Sequence, residues 1–126
     1  MKIGLIYAGI TESGFDSLKG NEGSWMNHGL SILSSSVKKA GHDVKLFDLR
    51  RLKGWDDFED QIAASDQQVF GLTMMSVDFD NVIKAATLIK KFRPSSVTVV
   101  GGPHPSICPE ELEPLSCFDY IVQGEG

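Results

Sequence analysis

The chain has 126 residues, of which 41% are hydrophobic and 23% charged, with a formal net charge of -5. That is the profile of one soluble globular domain with a real core, too short for two. The acidic balance argues against nucleic acid as a partner, because phosphate binding needs a basic face. No apolar run approaches the roughly 18 residues of a membrane span, so no membrane association is expected.

The chain opens with KIGLIYA, Lys2 to Ala8, a compact apolar run with little alternation, as a strand buried on both faces requires. The run is too short for a signal peptide and lacks a small-residue cleavage site. Gly9 to Asn27 is polar and glycine-bearing, and connections of that length are usually functional. HGLSILSSSVKKAGH predicts a helix with Leu30, Leu33, Val37 and Ala40 on one stripe, a stop at Gly41, and Lys38 and Lys39 at the negative end of its dipole. VKLFDL (Val44–Leu49) alternates like a strand. WDDFEDQIAAS (Trp55–Ser65) reads as a helix, VFGLTMM (Val69–Met75) as the third strand, and VDFDNVIKAATLIKKF (Val77–Phe92) as the clearest helix, closed by Pro94. VTVVG is the fourth strand. PEELEPL (Pro109–Leu115) predicts a short helix with Pro109 in its first turn, and DYIVQG (Asp119–Gly124) a fifth strand.

Strands alternating with helical crossovers predict an α/β fold: a Rossmann-like (flavodoxin-like), doubly wound, five-stranded parallel sheet in the order 2-1-3-4-5. Ligands of such sheets sit beyond the carboxyl ends of the strands, where the winding direction switches. The rim there is expected from Ala8, Gly9, Ile10 and on to Ser13, from Thr73, Met74, Met75, Ser76 and on to Asp78, from Gly101 to Ser106, and from Gly124 to Gly126. The final helix that would cover strands 3 to 5 on the face of the first helix is missing. Residues 1–126 are therefore expected to be a fragment of a longer protein, or to be covered on that face by a partner or by an oligomer contact.

The motifs narrow the chemistry. GITESG lacks the GK[ST] ending of a P-loop, which argues against an NTPase, and is not G-x-G-x-x-G, so the dinucleotide fingerprint fails. It is similar to the hydroxyl-rich phosphate loop of flavodoxins, but small polar residues after a first strand are common. Gly101 and Gly102 let another surface approach the main chain, either for a ligand cradled by backbone amides or for tight turn packing. His28 starts the first helix near the rim, His42 reads as a solvated turn residue, and His104 lies in the glycine loop at the crevice. His104 and Cys108 lack the third ligand a zinc site needs. Cys108 and Cys117 form no C-x-x-C pair, which fits a reducing cytoplasm. No Ser-His-Asp or Cys-His constellation can be assembled. Thr73 offers a hydroxyl and the two methionines adaptable apolar surface, at least one of them in the core.

Four stretches, HGLSILSSSVKKAGHDVKLFDL, VFGLTMMS, TVVGGPHPS and FDYIVQGEG, together resemble the N-terminal cobalamin-binding domain of the cobalamin-dependent radical S-adenosylmethionine (radical SAM) enzymes, over nearly the whole chain. The resemblance implies the same doubly wound sheet, with the corrinoid across the carboxyl ends of its strands. Thr73 then matches the hydroxyl that meets the nucleotide tail of vitamin B12, and Gly101 and Gly102 match the pair that lets the tail pass, so that a side chain on Gly102 would project into its path. Pro103 and His104 match the loop beside the corrinoid. Gly124, Glu125 and Gly126 match the motif leading out of the domain. The D-x-H-x-x-G motif that supplies a lower cobalt ligand is absent, so His104 is read as loop lining and no residue as a metal ligand. The C-x-x-x-C-x-x-C motif of the iron–sulfur cluster is absent too. The resemblance thus implies a cytoplasmic module that positions cobalamin, catalyses nothing alone, and serves a downstream radical SAM domain of the same chain. The 4Fe-4S cluster and S-adenosylmethionine are expected in that domain, with methyltransferase chemistry as one reaction the resemblance implies. The alternatives are a flavodoxin-like ligand-binding or regulatory domain, and a degenerate docking module without a cofactor. A receiver domain is disfavoured, because the chain has Ala8–Gly9 and Gln123–Gly124 where acidic residues and a lysine would stand.

Overall fold

The computed structural model describes residues 1–11, 14–17 and 28–124, with His28 described in its backbone alone. Five strands, β1 (Lys2–Tyr7), β2 (Asp43–Asp48), β3 (Val69–Thr73), β4 (Val97–Gly101) and β5 (Tyr120–Ile121), form one sheet. All pairings are parallel and the order is β2-β1-β3-β4-β5, as expected from the alternating pattern. Among the described residues four α-helices connect them: α1 (His28–Lys39), α2 (Trp55–Ala64), α3 (Phe79–Phe92) and α4 (Pro103–Ile107). No helix among the described residues is long and apolar enough to cross a membrane.

The parallel register sorts side chains onto two unequal faces. Ile6 pairs with Phe47 and Leu72, and Leu72 with Val100. These residues join Phe58 and Ile62 of α2 and Val82, Ala85, Ala86 and Ile89 of α3 in the main core. Complete burial of side chains such as Phe58, Phe70 and Ile89 contributes roughly 1.5–3 kcal/mol each. Leu112, Cys117 and Phe118 close the far end of this core. Among the described residues the opposite face is thinner. Its cluster is Leu5, Tyr7 and Leu30, with Ile3 and Val44 against it. Leu46, paired with Leu5, is 48% exposed, and Tyr120, paired with Val99, is 64% exposed.

Differences from the expected elements have local causes. α1 ends as foreseen at Gly41, whose φ is +90°. The Gly41 and His42 amides donate to the Lys38 and Val37 carbonyls, a Schellman arrangement. Of the α1 stripe only Leu30 is buried; Leu33 is 40% exposed, because the cluster this helix joins is small. His42 is not fully solvated: its Nδ1 atom is buried and has no hydrogen-bond partner among the described residues. β3 stops at Thr73, since Ser76–Asp78 turns into a 3-10 helix that leads into α3. A short helix does form after β4, but earlier than PEELEPL. Pro103 needs no amide donor in a first turn, so α4 begins directly after Gly102. Pro109–Glu111 makes only one 3-10 turn. β5 is paired over two residues, with the Asp119 and Val122 amides bonded to the Thr98 and Val100 carbonyls on either side.

Two polar clusters pin the edges. Asp48 and Arg50 form a buried ion pair of 2.7 Å after β2, and the Arg50 guanidinium lies 4.4 Å over the Tyr7 ring. The Asp119 carboxylate, before β5, binds the Lys90 ammonium of α3 and accepts from the Thr98 backbone amide. Both bonds hold the Asp119 carboxyl below its ordinary range, Lys90 most strongly.

Candidate functional site

The switch in winding direction lies between β1 and β3, and the segments leaving the carboxyl ends of β1, β3, β4 and β5 gather there. Thr73 and Gly101 are register partners at the ends of β3 and β4. Paired residues share a face, and theirs is the thin face that also carries Gly71 and Val99. Both are half-buried. A Cβ on Gly101 would meet Val122 alone, at an ordinary 3.6 Å. One on Gly71 would touch Leu5 at 3.2 Å. The floor of this part of the face is therefore backbone and small side chains. The Thr73 hydroxyl has no hydrogen-bond partner among the described residues.

Gly102 plays a different part. Its φ is +108°, and a Cβ there would sit 2.9 Å from Thr73 Oγ1 and 3.0 Å from the Met74 carbonyl oxygen. The missing side chain is thus directed at the end of β3 rather than into an open passage, which corrects the expectation from sequence. The glycine lets two strand ends join: the Met74 amide donates to the Gly101 carbonyl at 2.8 Å, and the His104 amide to the Met74 carbonyl at 3.1 Å.

The other residues singled out from sequence separate clearly. Ala8 and Ile10 are buried in the main core, and Gly9 packs against the Tyr7 ring. Met74 is fully buried while Met75 is 42% exposed, so one methionine is core and the other faces the rim. Ser76 is exposed and Pro103 borders the site at the start of α4. Gly124 turns with a φ of +77°, and its amide donates to Ser106 Oγ, whose hydroxyl donates to the Gly102 carbonyl. Glu125 and Gly126 lie outside the described residues. Thr11 ties the β1 segment to the rim. Its hydroxyl donates to the Val77 carbonyl, lies 3.2 Å from Asp78 Oδ1, and accepts from Asn81 Nδ2.

His104 is not a bare loop residue. Its ring is buried, stacks edge-on against Phe79 at 5.1 Å, and uses both nitrogens: Nδ1 is 2.8 Å from Ser76 Oγ and Nε2 is 3.0 Å from Glu111 Oε2. Sequence reading found no serine–histidine–carboxylate constellation. The structure assembles one from segments after β3, within α4 and after α4. The only sequence trace is the seven-residue spacing of His104 and Glu111, about two helical turns. Among the described residues no three His, Cys, Asp or Glu side chains converge as metal ligands. The Cys108 and Cys117 thiols are free, and burial pushes both above their ordinary values.

Comparison with known proteins agrees with this fold. The chain is 31% identical, along its whole length, to an uncharacterized methyltransferase of Pyrococcus horikoshii, and spans 27% of that relative. The fold matches the radical S-adenosylmethionine methyltransferase TsrM from Kitasatospora setae, solved with tryptophan substrate and an S-adenosylmethionine analogue, with a TM-score of 0.65 at 16% identity; the match covers 86% of this chain and 20% of that one. It also matches a cobalamin-binding protein from Desulfitobacterium hafniense with a TM-score of 0.64 at 15% identity, over 98% of this chain and 53% of that one. The model of the B12 binding domain matches residues 21–126, and the chain belongs to that family.

Proposed function

We propose that this cobalamin-binding domain holds the cofactor across the carboxyl ends of β1, β3 and β4, with its nucleotide tail along the thin face, and positions it for a separate radical SAM catalytic domain. The observation that carries the reading is the pairing of Thr73 with Gly101, a hydroxyl unclaimed among the described residues beside bare backbone on a half-buried face. These residues fit the group: Gly101 leaves room, Thr73 can hydrogen-bond the tail, and Met75, Ser76 and Pro103 border the corrin side. Ala8, Gly9, Ile10, Met74 and Gly102 shape the site from beneath, and Gly124 turns beside it. When bound, cobalamin supplies a cobalt centre able to carry a methyl group. The protein's share is to bind the corrinoid, orient it and shield one side.

Participation in methyl transfer is supported by the methyltransferase relative and by the fold shared with TsrM. On this reading the 4Fe-4S cluster and S-adenosylmethionine belong to the other domain, and the protein works in the cytoplasm, in keeping with two free thiols. The test is titration with hydroxocobalamin, followed by visible absorbance and by retention through a desalting column. Retained corrinoid at one equivalent is expected. Its complete loss on desalting, from this chain and from longer forms of the protein alike, refutes the reading. A C-x-x-x-C-x-x-C cluster encoded in the same gene tests the radical SAM assignment separately.

A further inference from the structure

The hydrogen-bonded chain Ser76–His104–Glu111 has a directional consequence. The Glu111 carboxylate can only accept, so the Nε2 atom 3.0 Å from it must carry a proton. In a neutral imidazole the other nitrogen is then a bare acceptor, and Ser76, 2.8 Å from Nδ1, must donate its single hydroxyl proton inward. The ring cannot turn to relieve this, since it is buried against Phe79 with both nitrogens engaged. What Ser76 leaves at the exposed rim is a pair of oxygen lone pairs: a fixed acceptor, where a serine on its own would be either donor or acceptor.

We propose that Ser76 is a specificity-determining residue that selects a ligand edge bearing N–H donors, a primary carboxamide rather than a carboxylate, and that His104 and Glu111 are the positioning residues that set it so. The assignment rests on the cobalamin reading above, and the carboxamides that fringe the corrin ring are the edge concerned. A carboxylate at the same place would bring two acceptors together with no proton between them, a loss of roughly tenfold or more in affinity. Glu111 is half exposed, so its removal alters the relay without opening the core.

The experiment uses the chain as it stands, with hydroxocobalamin and the monocarboxylic acids obtained from it by hydrolysis of a single side-chain amide. Wild type is expected to bind hydroxocobalamin about tenfold more tightly than at least one of these acids, and S76A to bring the two within about twofold. In E111A a second imidazole tautomer is expected in nitrogen-15 spectra of His104, with a reduced preference for the amide. The same spectra of wild type without corrinoid should show the Nε2–H tautomer. An Nδ1–H tautomer there, equal affinity of wild type for amide and acid, or a preference that survives S76A each overturns the proposal. If wild type binds none of the corrinoids, the cobalamin reading falls and the carboxamide assignment with it. If it binds all of them equally, this proposal falls alone. Ser76 is exposed, so S76A should melt with wild type, and that melt confirms that the comparison is between folded proteins.

Discussion

Substituting the two adjacent glycines should give opposite results. In G102A the new Cβ must occupy a backbone conformation with φ at +108° and lie 2.9 Å from Thr73 Oγ1 and 3.0 and 3.1 Å from the Met74 carbonyl oxygen and amide nitrogen. The conformational part costs about 1–3 kcal/mol. The steric part adds about 1–3 kcal/mol, because two of the three contacts are to backbone that cannot swing away. The sum centres on about 4 kcal/mol, and at about 4 °C per kcal/mol for a chain of this size Tm should fall by about 15 °C. In G101A the Cβ meets only Val122, at 3.6 Å, and stability should stay within about 0.5 kcal/mol of wild type. G101F extends that side chain over the thin face; corrinoid retention should drop at least about tenfold, with Tm changing by less than about 3 °C. Thermal melts by circular dichroism and desalting retention measure both. A G102A protein that melts with wild type refutes the packing argument, and a G101F protein that retains cobalamin like wild type refutes the assignment of the tail to the Thr73–Gly101 edge.

Removing Asp48 should cost about 1.5–3 kcal/mol in urea unfolding of D48A, because its carboxylate accepts charge-assisted hydrogen bonds from the Arg50 guanidinium and a third bond from the Arg50 amide. By contrast, D66A, which breaks the exposed pair of Lys2 and Asp66, should leave the melt unchanged. Asp119 has a depressed carboxyl pKa, so its contribution is complete above the unfolded value of about 3.9 and disappears as pH falls through the folded value. Melts taken from about pH 5 down to about pH 2 should lose stability progressively, and D119N should show a shallower acid slope. S106A removes the acceptor of the Gly124 amide, and hydrogen exchange at that amide should accelerate by about five- to tenfold, the equivalent of one net hydrogen bond.

The architecture was legible in the sequence because strands and helices leave different apolar patterns. KIGLIYA and VTVVG are compact, mostly apolar runs, and the α3 stripe of Val82, Ala86 and Ile89 repeats with helical period. Boundaries were less legible. Nothing in PHPSI marks it as a helix apart from Pro103, and PEELEPL carries a helical composition that a single 3-10 turn uses up. At the site, position along the chain located Thr73 and Gly101 correctly at the strand ends but could not tell which way each glycine's missing side chain points. That depends on a positive φ at Gly102 alone. The Ser76–His104–Glu111 chain was invisible for a further reason. Ser76 and His104 are 28 residues apart, and they meet only because the Met74 carbonyl accepts the His104 amide across the strand ends.

The inequality of the two sheet faces has a consequence for how such a domain can change. The large core with α2 and α3 carries most of the folding free energy, while the thin face holds the small cluster around Leu30. Substitutions on the second face are therefore cheap in stability, and ligand preference can drift there without a compensating repair elsewhere. The same division makes the domain a tractable starting point for redesign: Val97, Val99, Gly101 and Tyr120 can be varied together as a library, with the α2–α3 side left untouched as the folding scaffold.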